Sequence, residues 1–169
     1  MNEEITNKDS LNEFEKPVLP TGLNVLTILT IIASVIGFIS AIYGFVTSKK
    51  TYESMKEAID GGKMDNAPGW AKGLMSQEML GMYQKMYENK WPILILTLVA
   101  TALCLYGAIE MRKLKKQGFT FWLIGEILPI GTSILFIGMI AFSGFKILAL
   151  LIPVAFIILY MVNKKHLVH

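Results

Sequence analysis

Four unbroken apolar runs constrain this chain more than any other feature: Leu23 to Thr47, Pro92 to Ile109, Phe119 to Phe142 and Phe145 to Val162. Each approaches or exceeds the ~20 residues that an α-helix needs to cross a hydrocarbon core of ~30 Å. Glu126 and Lys146 are the only full charges inside them. A water-soluble helix carries its apolar residues on one side, whereas these runs are apolar on every face, which calls for lipid as the solvent. The expected fold class is therefore all-α: a polytopic membrane protein with four transmembrane helices and an extracytoplasmic helical projection between the first and the second.

The runs divide the chain into a cytoplasmic tail (1–22), a first span (23–47), an outer connection (48–91), a second span (92–110), a basic connection (111–118), a third span (119–142), a tight turn with the fourth span (143–162) and a C-terminal tail (163–169). A mean hydropathy of +0.51 with only 17% charged residues agrees with this division and leaves no room for a second globular domain. The sequence pI near 8.9 does not point to nucleic acid, because the lysines and arginine cluster at membrane ends, where they anchor helices to headgroups. The lipid bilayer is the expected partner, together with a membrane-protein partner or further copies of the chain. The tail MNEEITNKDSLNEFEK is acidic and the run after Leu23 is too long for a signal peptide, so the first span is expected to be retained. Cys104, the one cysteine, allows no intrachain disulfide and is expected to serve as a small apolar interface residue.

Orientation follows from the positive charges. Arg112, Lys113, Lys115 and Lys116 fall between Met111 and Gly118 with no acid among them, and Lys164 and Lys165 follow the last span. Both clusters are expected on the cytoplasmic side, which puts the N- and C-termini inside and 48–91 outside. Lys49 and Lys50, just after the first span, pull the other way.

The outer connection carries helical signals of its own. No breaker interrupts the chain from Thr47 to Ile59, so the first helix is expected to run on until Gly61 and Gly62. Ser76 can cap a second, amphipathic helix ending near Asn89, on which Met75, Met79, Met82 and Met86 share a face flanked by Tyr83 and Tyr87. Flexible, polarisable methionines suit a surface that packs against lipid or a partner protein. Copper(I) binding by the thioethers is the minor alternative, weakened because no histidine or cysteine joins them. No cofactor or resident metal is expected.

Glu126 is the chain's one carboxylate deep in an apolar run, about seven residues into the third span and so ~10 Å below the surface. An intramembrane carboxylate marks a functional site by default. Pro129, just beyond it, removes a backbone hydrogen bond on the same helix, a local break of the kind that lines ion sites. Against an ion role stands the lack of a second deep acid or base, and an ion pair with Arg112 or Lys113 is the structural alternative. Small residues are expected to let helices approach closely: Ala33, Gly37, Ala41 and Gly44 in the first span, Ala100, Cys104 and Ala108 in the second, Gly131 and Gly138 in the third.

Enzyme constellations are not found. Both histidines, His166 and His169, lie at the C-terminal end, and there is no phosphate loop, nucleophile elbow or HExxH. The stretches KPVLPTGLNVLTILTIIASVIGF, NAPGWAK and LCLYGAIEMRKLKKQG followed by FWLIGEILPI resemble small four-span inner-membrane proteins of the Bacteroidota type. The resemblance implies a bacterial cytoplasmic membrane and no particular reaction, substrate or cofactor. The expected function is a non-catalytic membrane subunit or accessory factor docking onto a larger complex through its outer helices and small-residue faces. The alternative is a small transporter or channel component that uses Glu126.

Overall fold

The structure is a computed structural model in which residues 19–62, 69, 76–142, 147–148 and 150–167 are described. All regular elements among the described residues are helical. Helix α1 spans Thr21–Asp60, α2 Gln77–Glu88, α3 Lys90–Arg112, α4 Lys116–Phe136 and α5 Leu151–Asn163, with 3-10 turns at Met139–Phe142 and Lys164–His166. Three of these, α1, α3 and α4, are long and apolar enough to cross a membrane. Their outward faces agree: Ile39, Ile42, Val46, Ile95, Ile127 and Leu135 are among the many large apolar side chains left exposed, a surface that water would not tolerate in such extent.

Helix α1 continues well past the first apolar run, as the absence of breakers predicts. At ~1.5 Å per residue its 40 residues reach ~60 Å, about twice a hydrocarbon core. Gly61 and Gly62 do stop it: the Gly61 amide donates to the Glu57 carbonyl, and Gly62 takes a positive φ of 67°. The expected cap of α2 also forms, with the Met79 amide donating to the Ser76 hydroxyl at 3.3 Å. Asn89 alone then separates α2 from α3.

Two boundaries differ from the apolar runs. Helix α4 begins before Phe119 and ends at Phe136, not Phe142, because Gly138 adopts φ 92° and the amides of Ile137 and Gly138 both turn back to the Ser133 carbonyl. The fourth run yields an α-helix of only 13 residues, ~20 Å long. The tight turn expected at Ser143 and Gly144 lies outside the described residues, as does Lys146.

Helix α3 is central, packed along α4 on one side and α1 on the other, while α1 and α4 make no extensive contact with each other. Glycines set the α3–α4 distance. A Cβ on Gly107 would lie 2.5 Å from the Trp122 nitrogen and 2.6 Å from the Gly118 oxygen, and one on Gly125 would lie 2.7 Å from the Ala100 oxygen. Such backbone-to-backbone approach is how membrane helices gain packing energy where lipid supplies no hydrophobic drive. The small-residue expectation is thus right for Ala100, Cys104 and Ala108, and for Gly37, whose Cβ would lie 3.5 Å from Thr101 of α3, and needs correction for the other glycines. Gly131 and Gly44 face open space, and Gly138 terminates a helix; Gly118 and Gly125, one heptad apart, make the contact.

Apolar cores form at the two ends of the bundle. One gathers Leu23, Leu26, Met111, Leu114, Phe119, Trp122, Tyr160 and Leu167, and the other Met79, Met82 and Ile137. Leu114 sits in the left-handed region (φ 59°), a conformation that costs a branched side chain about 1–2 kcal/mol. Its burial to 5% exposure in the first core offsets that cost and closes the α3–α4 turn.

Candidate functional site

Between the two cores the bundle is hollow. A crevice of about 280 Å³ is lined by the three long helices α1, α3 and α4 together with the short α5, and Glu126 lies on its wall. Glu126 is at the midpoint of α4, ~15 Å from either end of the helix.

The expected ion pair to Glu126 does not form. Arg112 reaches instead to α1, donating to Asn24 Oδ1 at 2.9 Å and to Thr27 Oγ1 at 3.3 Å, and Lys113 pairs with Glu110 at 2.8 Å. Lys115 joins the same carboxylate at 2.6 Å, with the Gln117 amide at 3.4 Å. Geometry explains this. Glu126 is nearly three helical turns from the α4 start, beyond the reach of side chains held at the α3–α4 turn. Lys116 also lies at this end of the bundle, at the first position of α4.

What Glu126 has is Cys104, whose thiol lies 3.8 Å from Oε2 and 3.8 Å from the Trp122 carbonyl. Thr30, Ser34 and Thr101 add hydroxyls to the crevice, and Trp122 and Phe156 add aromatic faces. The Thr30 and Tyr160 hydroxyls bond each other at 2.8 Å, joining α1 to α5 beside the cavity. Pro129 lines the same wall and brings no N–H to the Gly125 carbonyl four residues back, so that α4 is locally loosened where the acid sits. Sequence patterning had singled out Glu126 and Pro129. It missed Thr30, Ser34 and Thr101, because a hydroxyl inside an apolar run looks the same whether it faces lipid or a cavity.

Part of the methionine face packs within the chain. Met79 and Met82 are 9% and 6% exposed and pack against Ile137, with Tyr83, Met86, Ile93 and Ile140 around them. They are buried within the chain because α2 folds onto the end of α4, where the Lys85 ammonium also donates to the Ile137 carbonyl at 3.4 Å. Tyr87 stacks on Tyr52 of α1 at 6.0 Å, and Lys90 lies over the Tyr87 and Phe45 rings. Tyr83, Met86 and Tyr87 are half-buried, and Met75 lies outside the described residues.

No family model matches this chain, and no curated protein or solved structure is significantly similar to it.

Proposed function

We propose that this chain is a non-catalytic, multi-pass protein of a bacterial cytoplasmic membrane that carries or conducts a cation by way of Glu126. The single observation behind this is a carboxylate at the middle of a membrane-length helix, beside a cavity, with no basic side chain paired to it among the described residues. An ionised carboxylate at that depth is expensive, so it must hold a proton or a cation, and exchange of one for the other is the elementary step of coupled transfer. Docking as an accessory subunit is less favoured, since Met79 and Met82 are occupied within the chain and only scattered small residues remain to support it.

In this proposal the fourth apolar run completes the bundle, α5 together with the residues before it, and the far half of α1 with α2 forms an outer projection. Both basic ends face the cytoplasm. In a Cys104→Ala background, a single cysteine at Ser76 should react with an impermeant maleimide in intact cells and one at Gln117 should not; the reverse pattern would mean that Lys49 and Lys50 set the orientation.

The functional test is flux. Purified protein in proteoliposomes should pass protons or sodium in response to an imposed gradient, and Glu126→Gln should abolish that flux while the protein elutes as a folded particle. Equal flux through both proteins would remove Glu126 from the mechanism.

A further inference from the structure

The shape and lining of the cavity say more about what it holds than the presence of the acid does. A bare inorganic cation stripped of water wants about six oxygen ligands. Here one carboxylate supplies at most two. The Thr30 hydroxyl bonds Tyr160 and the Thr101 hydroxyl donates to the Thr97 carbonyl at 2.7 Å, which orients these hydroxyls and leaves them oxygen lone pairs, so the size of the site is the better guide to its ligand. A volume of about 280 Å³ approaches the ~300–1,000 Å³ of small-molecule sites and is far larger than an ion requires.

The remaining walls are apolar and aromatic. Half-buried Phe156 lines the cavity, and an aromatic face attracts cations at close range; Trp122 borders it but is 1% exposed, its ring packed against Tyr160. Access points the same way. Since α1 and α4 make no extensive contact, the front of the crevice is bounded among the described residues by the first turns of α5, at Ile152 and Pro153. Leu151 and Ile152 there are 61% and 64% exposed. In a bilayer that side faces hydrocarbon, so a solute entering past α5 must itself dissolve in lipid.

We infer that the crevice is a binding site for an amphiphilic organic monocation, whose apolar body occupies the cavity against Phe156 and Ile130 while its single positive charge pairs with Glu126. Binding replaces the proton on the carboxyl, so one proton leaves for each cation bound and the charge within the membrane is conserved. The inference rests on the proposed role of Glu126 in cation transfer and specifies the class of cation.

The test is calorimetric titration of the purified full chain in mild detergent with benzyltrimethylammonium, with proton release followed in weak buffer. Saturable binding near one per chain is expected, with about one proton released and an affinity at least about tenfold lower in Glu126→Gln, since that variant removes one partner of a desolvated charge pair. Glu126→Asp, which keeps the charge, should retain part of the affinity, and gel filtration of each variant separates lost binding from lost fold. Affinity within about twofold in a folded Glu126→Gln, or no binding to the unaltered protein, overturns the inference. If the unaltered protein fails to bind benzyltrimethylammonium yet shows Glu126-dependent proton or sodium flux, the organic-cation inference alone falls; if flux is also independent of Glu126, both fall.

Discussion

Glu110 and Glu126 are the same residue type on neighbouring helices, and the bundle treats them in opposite ways. The Glu110 side chain is 3% exposed at the end of α3 and is enclosed by Lys113, Lys115 and Gln117. Around it the backbones of α3 and α4 touch at Gly107 and Gly118, and Leu114 plugs the turn. Glu126 lies at mid-helix against a cavity, with a thiol as its side-chain partner. A carboxylate enclosed by cations holds a structure together. One left beside open space is available to a ligand, and the contrast separates the scaffold of this protein from its candidate site.

The strongest way to break the contrast is to part the helices at the packed end. Gly107→Leu places a branched side chain where even a Cβ would lie 2.5 Å from the backbone of α4. Overpacking of this kind costs about 3 kcal/mol or more, so thermal unfolding in detergent should show a large loss of stability or an aggregated product. A variant that unfolds like the unaltered protein would mean that this end is not what holds the bundle.

A second comparison exchanges the two acids in turn. Glu110→Gln leaves two lysines facing a neutral side chain in a buried position, whereas Glu126→Gln keeps a hydrogen-bonding group where only one weak contact exists. Thermal midpoints should therefore fall clearly for Glu110→Gln, while Glu126→Gln should stay within about 1 kcal/mol, the scale of interhelical polar contacts in membranes. Equal losses would erase the distinction between scaffold and site.

The smallest effect is at alkaline pH. The hydrogen bond to Glu110 holds the Lys115 ammonium above the ordinary lysine range. A raised folded value means that Lys115 contributes stability fully below the ordinary lysine pKa of ~10.4 and loses it as pH climbs from there through the folded value. Melting temperature should decline more steeply with pH above that range in the unaltered protein than in Lys115→Met. Parallel slopes would show that the ion pair adds nothing measurable.

Much of the scaffold is legible from residue order. Apolar runs too long and too uniform for a soluble core announce four spans, of which three form helices long and apolar enough to cross a membrane; Gly61 and Gly62 mark the end of α1, and Ser76 marks the start of α2. Less visible were the ends of α4 and the partners of the methionines. Gly138 inside an apolar run reads as a packing residue until its positive φ reveals a helix stop. Met79 and Met82 share a helix face in any view of the sequence, but periodicity carries no information about whether that face meets lipid, a partner or the end of another helix.

Helical content, the presence of helices long and apolar enough to cross a membrane, and the breakers at Gly61 and Gly62 were set by the sequence, because each depends on local composition and on where the backbone can turn. The direction each face points was decided only by tertiary structure. Close contact at Gly107, Gly118 and Gly125 draws α3 and α4 together, turns Arg112 toward Asn24, ties Lys113 and Lys115 to Glu110, and leaves Glu126 beside a cavity instead of beside a cation. Those outcomes depend on distances between residues far apart along the chain, and helices of equal hydrophobicity packed in another order would have satisfied the same sequence pattern.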